Sequence, residues 1–96
     1  MKPEDFGIRK YKFNDDGTLD VFESVFLGQK NLTELPFNFG KVEGRFFCSH
    51  NYLTSLKGLN LNGISGKIYV YHNPNLKLTE KEKLWVTLNP GKIVLE

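Results

Sequence analysis

Val25-Phe26-Leu27-Gly28-Gln29-Lys30-Asn31-Leu32-Thr33-Glu34-Leu35 returns as Phe46-Phe47-Cys48-Ser49-His50-Asn51-Tyr52-Leu53-Thr54-Ser55-Leu56. A degraded third copy runs Ile68-Tyr69-Val70-Tyr71-His72-Asn73-Pro74-Asn75-Leu76. The copies start 21 and then 22 residues apart. A unit of this length cannot bury its apolar side alone and does so by stacking on its neighbours, which is the logic of a solenoid. The predicted fold is therefore β-rich α+β, a short solenoid of about three turns with parallel strands.

The copies align in columns. Val21, Val42 and Ile64 open each turn; Val25, Phe46 and Ile68 follow; Leu27, Cys48 and Val70 come next. Apolar residues alternate with polar or aromatic ones, the period-2 pattern of a strand with one buried face. Leu32 and Leu53, then Leu35 and Leu56, complete the apolar set on the return path. Asn51 and Asn73 share a column in which a side-chain amide can satisfy backbone groups at the bend. Lys30 holds that column in the first turn, so the ladder has only two rungs.

Leu-x-Leu-x-x-Asn-x-Leu-x-x-Leu is the leucine-rich-repeat consensus. Phe46-x-Cys48-x-x-Asn51-x-Leu53-x-x-Leu56 resembles one full repeat with Phe and Cys in leucine columns. Val25 to Leu35 is similar with Lys at the Asn column, whereas Pro74-Asn75 shifts the last leucine of the third copy by one. Asn14-Asp15-Asp16-Gly17-Thr18-Leu19-Asp20-Val21 and Leu53-Thr54-Ser55-Leu56-Lys57-Gly58 also resemble short leucine-rich proteins of tailed bacteriophages. That resemblance implies a virus-encoded inhibitor or adaptor acting on a host protein in the host cytoplasm.

A solenoid must protect its open apolar ends. Tyr11-Lys12-Phe13 and Leu19-Asp20-Val21 flank Asn14-Asp15-Asp16-Gly17, a hairpin signal in which Gly17 supplies the positive φ. Thr79-Glu80-Lys81-Glu82 matches a capping box opening a short helix, with Leu84, Trp85 and Leu88 on one side and Asn89-Pro90-Gly91 as its stop. Trp85 reads as a plug over the last turn, and Lys92 to Leu95 as a final strand or covering segment. The predicted organisation is one domain, 1–96: an N-terminal hairpin cap over 1–20, the repeats over 21–78 and a C-terminal cap over 79–96.

Parallel strands lie about 4.8 Å apart, so outward columns become ladders. The central column is Phe26, Phe47, Tyr69, with Ser24, Arg45, Lys67 on one flank and Gly28, Ser49, Tyr71 on the other. Gln29, His50 and His72 follow at the strand ends. Exposed aromatics beside Arg are typical interface anchors. The candidate partner-binding residues are thus Phe26, Arg45, Phe47, Ser49, His50, Lys67, Tyr69, Tyr71 and His72. The competing reading is structural, since cross-strand aromatic pairs stabilise a sheet by roughly 0.2 to 1 kcal/mol each without any ligand.

Net charge is only +2, but eight of the eleven acids, from Glu4 to Glu43, lie in the first half. None occurs from Gly44 to Thr79, where Arg45, Lys57, Lys67 and Lys77 fall. This asymmetry predicts a protein partner with an acidic patch. Single-stranded nucleic acid is a second reading of the same aromatic and basic residues, weakened by the thin basic footprint. Self-association as a homodimer, through the aromatic face or an edge strand at Ile93-Val94-Leu95, is a third.

Ninety-six residues, 40% apolar and 25% charged, fit one small globular domain. No apolar run approaches the roughly 20 residues needed to cross a bilayer, and Met1 to Asp5 lacks the apolar core of a secretory signal. The single cysteine, Cys48, forms no intrachain disulfide, so a cytoplasmic setting is expected. Without such a signal, Asn31-Leu32-Thr33 is a chance glycosylation match.

No enzyme, cofactor or metal is expected. His50 and His72 neighbour each other with no carboxylate in their columns, and stable metal sites want three or four ligands. Cys48 lies in a core column, Ser49-His50 lacks a third group, and the glycines sit singly at turns. The Asn14 loop has Val25 where a calcium loop needs Glu.

Overall fold

Alternation of inward apolar and outward residues yields seven short strands, which the computed structural model, describing residues 1–96, arranges in two sheets. They are β1 (Tyr11–Phe13), β2 (Leu19–Val21), β3 (Val25–Phe26), β4 (Phe39–Val42), β5 (Phe46–Phe47), β6 (Ile68–Tyr69) and β7 (Ile93–Val94). One α-helix, α1 (Glu80–Leu88), completes an α+β fold. No helix is long and apolar enough to cross a membrane.

The first sheet has the order β1-β2-β4 and is mixed. Tyr11 pairs with Val21 in the expected antiparallel hairpin, whose turn closes on Gly17 at φ 87°. The hairpin runs through Val21, one residue past the cap boundary expected at 20. The parallel partner β4 was not anticipated beyond its Val42. Leu19 pairs with Phe39 and Val21 with Val42, so β4 carries an extra residue between the two pairs. This bulge leaves the Lys41 N–H without a ladder acceptor, and the Asp20 carboxylate takes it at 2.8 Å.

The second sheet, β3-β5-β6-β7, is entirely parallel. Val25, Phe46, Ile68 and Ile93 stand in register, as do Phe26, Phe47, Tyr69 and Val94. Their inward members join one core of 16 buried residues that also contains Leu27, Cys48, Val70, Leu35, Leu53 and Leu56. The Val42–Ile64 bridge continues the neighbouring column.

β3, β5 and β6 each end in a bend. Gln29, His50 and His72 all take left-handed φ, 57°, 56° and 57°; after the two histidines the next residue, Asn51 or Asn73, turns inward, whereas Lys30 after Gln29 stays exposed. There Asn51 is buried, its Nδ2 donating to the carbonyls of Leu27 (2.8 Å), Cys48 (3.1 Å) and Ser49 (3.1 Å). Its Oδ1 accepts from the N–H of Lys30 and of Leu32, each at 3.0 Å. Asn73 repeats the device, donating to Val70 and Cys48 carbonyls and accepting from Leu53 N–H. Each asparagine thus ties its own bend to the preceding one.

At the C-terminus the capping box forms as expected: Glu82 N donates to Thr79 Oγ1 (3.1 Å) and Thr79 N to Glu82 Oε1 (2.8 Å). Trp85 packs against the core and its Nε1 donates to Asn62 Oδ1 at 2.7 Å. The expectation that Leu84 and Leu88 share its side is corrected, because they are 59% and 69% exposed. Residues four apart form one stripe of a helix. With Trp85 and Val86 turned to the core, the Leu84–Leu88 stripe lies on the outward side.

Carboxylates secure the N-terminal half. Glu23 accepts from the N–H of Arg9 (2.7 Å) and Lys10 (2.8 Å), and those backbone bonds, led by Lys10, lower its pKa. The Asp20 pKa is lowered by the Lys41 N–H and then the Asn14 amide, and that of Asp16 by the Thr18 hydroxyl. Carboxylates with depressed folded-state pKa contribute stability above their unfolded values, 4.5 for Glu and 3.8 for Asp, and lose it as pH falls through the folded ones.

Two outcomes are expected. Replacing Asn51 by Ala strands buried N–H and C=O groups in two bends and costs about 3 kcal/mol or more in urea unfolding. The melting temperature holds between about pH 7 and 5 and falls below about 4.5, while Glu23→Gln starts lower and loses less on acidification.

Candidate functional site

The register of the parallel sheet places the outward aromatics one above another. Phe26 and Phe47 rings stack at 4.9 Å between centroids with planes 11° apart, and Phe47 and Tyr69 at 4.4 Å and 3°. These separations match the strand spacing of about 4.8 Å, so the ring normals run along the hydrogen-bonding direction. The faces are turned to each other and the edges to solvent. Phe26 is 61% exposed, so no terminal segment covers it, and Phe47 and Tyr69 are half-buried.

Arg45 and Lys67 flank the ladder, both exposed, and neither pairs with a carboxylate; the molecule's one ion pair joins Lys83 to Glu80. The other flank is built around Tyr71. Its ring meets those of Tyr69 (6.5 Å, 84°), His50 (5.3 Å, 83°) and His72 (5.4 Å, 77°) edge-on. His50 and His72 lie at 4.5 Å with planes 30° apart, both exposed at their left-handed bends. The imidazoles are tilted against each other, and no cluster of three or more His, Cys, Asp or Glu is positioned to hold a metal ion.

Eight of the nine candidate residues therefore reach solvent on or beside one face. Ser49 departs from the expectation, being only 6% exposed. Its neighbours on this face are Phe47 along the strand and Gly28 and Tyr71 across it, and a short hydroxymethyl beside such rings lies below their reach. Three residues not anticipated extend the site. Lys92 continues the Arg45–Lys67 column and Val94 the aromatic one, through the pairing of β6 with β7. Tyr52, 54% exposed, lines a shallow hollow with Gln29, Asn31, His50, His72 and Pro74. Lys92 and Val94 lie outside the repeat, so no periodicity marks them. Tyr52 holds an outward position within the second copy.

Cys48 lies beneath this face. Its Sγ donates to the Tyr69 carbonyl at 3.4 Å, and burial pushes the thiol up to about 12. A neutral, enclosed thiol is a packing element rather than a nucleophile.

No protein-family model, curated protein or solved structure matches this chain.

Cys48 is expected to react with a thiol-alkylating reagent at pH 8 at least about 100-fold more slowly in the native protein than in urea. Intermediate urea concentrations should show labelling that follows the unfolding transition.

Proposed function

We propose that this chain is a short leucine-rich-repeat-like solenoid that binds another protein through the outer face of its parallel sheet. The observation carrying this reading is the exposed Phe26–Phe47–Tyr69 stack, flanked by two cations that have no carboxylate partner. The rings present their edges, which are the electropositive part of an aromatic quadrupole. Ring edges, Arg45 and Lys67 together favour an acidic patch on the partner. Further support comes from the repeat register, which spaces the anchors of this surface evenly.

The same geometry weighs against single-stranded nucleic acid. Bases bind such surfaces by stacking on free aromatic faces. Here the faces of Phe47 are occupied by Phe26 and Tyr69, leaving at most the two outer faces of the stack, with Val94 standing next to Tyr69 in register. The resemblance to short phage leucine-rich proteins makes a bacterial host protein the natural partner, with the chain acting as an inhibitor or adaptor in the host cytoplasm.

The test is affinity capture from a candidate bacterial host lysate, comparing the natural chain with Phe47→Ala/Tyr69→Ala and with Arg45→Glu/Lys67→Glu. The expected result is a protein retained by the natural chain and lost by both variants, each still folded by circular dichroism. Rebinding of the purified partner should weaken by roughly tenfold or more in the charge-reversed variant. A steep loss of binding with salt together with captured nucleic acid would support the other ligand class. Unfolding of the alanine variant would make the ladder a structural element.

A further inference from the structure

The four-stranded sheet has two edge strands, β3 and β7. Near β3, Glu23 holds the segment at Arg9 and Lys10, and Ile8 is buried behind it. At the other end β7 is the last strand. The Lys92 carbonyl accepts from Ile68 N–H and the Val94 carbonyl from Val70 N–H, each at 2.9 Å. Strand alternation therefore directs the N–H and C=O of Ile93 and the N–H of Leu95 away from β6, toward an open edge, and continuing the strand by one residue turns the Leu95 carbonyl the same way. Such an edge is a template for another strand.

The identity of that strand follows from register and charge. In an antiparallel pair, edge-directed residues must face edge-directed residues, each such pair exchanging both N–H···O bonds. When β7 pairs with a second copy of itself about a two-fold axis at Val94, Ile93 faces Leu95 of the copy and Leu95 faces its Ile93. Lys92 then lies directly opposite Glu96 of the copy, in the non-hydrogen-bonded position where side chains approach most closely. Centring the axis on Ile93 sets Lys92 against Val94, and centring it on Leu95 sets Glu96 against Val94. All three set edge-directed residues against one another, and the Val94 register alone matches opposite charges. Lys92 Nζ already donates to the Ser65 carbonyl at 2.9 Å, which leaves two of its three donors free. Leu95, 42% exposed, gains cover on the opposite face of the sheet.

We infer that β7 is a self-association edge, joining two copies as an antiparallel pair about Val94 with reciprocal Lys92–Glu96 ion pairs. The outer columns then run Phe26, Phe47, Tyr69, Val94 and back through the copy in reverse order, so the dimer presents one two-fold symmetric face.

Sedimentation velocity and light scattering of the 96-residue chain test this over a concentration series. The expected mass rises from 11.1 kDa toward twice that value. Glu96→Lys, which sets like charges opposite each other, is expected to weaken dimerisation by roughly tenfold. Lys92→Glu/Glu96→Lys restores it, and Leu95→Pro, which removes an edge-directed N–H, abolishes it. Phe47→Ala/Tyr69→Ala leaves the mass curve unchanged, which separates this edge from the aromatic face. A mass of 11.1 kDa at every concentration up to about 1 mM overturns the inference. So does a dimer that Glu96→Lys leaves intact, and this holds even if the proline variant fails to fold.

Discussion

Wherever a short strand gives way to its return path, the backbone leaves one ladder before it can join another, and its polar groups need partners. Buried Asn51 and Asn73 supply them, and the rest of the structure follows from that. A single amide serves both a donor-poor and an acceptor-poor stretch of chain, because it offers a carbonyl and an NH2 from one side chain. Asn51 uses both ends, its Nδ2 donating to the Leu27 carbonyl in one bend and to those of Cys48 and Ser49 in the next, its Oδ1 accepting from Lys30 and Leu32 N–H. Left-handed residues just before each asparagine make the turn that places it inward, and histidine is among the residue types that tolerate that conformation.

With the bends tied together, the strands have no freedom to slip, and a slip of one residue would exchange core and surface. The register that buries Phe46 beneath Ile68 is the same one that stacks Phe47 on Tyr69 outside. Core and candidate binding face are thus two readings of one alignment. Stacking also decides what the surface offers: rings locked face to face show their edges, and the unpaired guanidinium and ammonium beside them strengthen the same sign of potential. Contribution to sheet stability and availability for a partner coexist in this arrangement, since the first uses ring faces and the second ring edges.

A stacked sheet has two ends, and the chain treats them unequally. The N-terminal hairpin and the segment held by Glu23 and Asp20 engage backbone N–H groups with carboxylates, which concentrates acids there and leaves the later strands free of them. At the C-terminal end α1 contributes Trp85 and Val86 to the core, and its Leu84–Leu88 stripe stays in solvent. The β7 edge, like that of β3, keeps its outward backbone groups unpaired within the chain.

By itself the sequence determined the elements whose cause is local. The Gly17 hairpin, the Thr79–Glu82 capping box, the inward columns and the asparagine rungs all rest on spacing or on the chemistry of a few adjacent residues, and each is present. The aromatic column was legible for the same reason, since period-2 alternation says which side chains point outward. Only the tertiary structure decided matters that depend on which strands lie side by side. The pairing of β2 with β4 and the Lys41 bulge arise from contacts between segments about 20 residues apart, with no local signature. Ser49 is only 6% exposed in an outward column, and α1 turns Trp85 and Val86 to the core, the indole bonded to Asn62. Lys92 and Val94 entered the outer face because β7 docked in register on β6, a long-range event that no repeat in the chain announces.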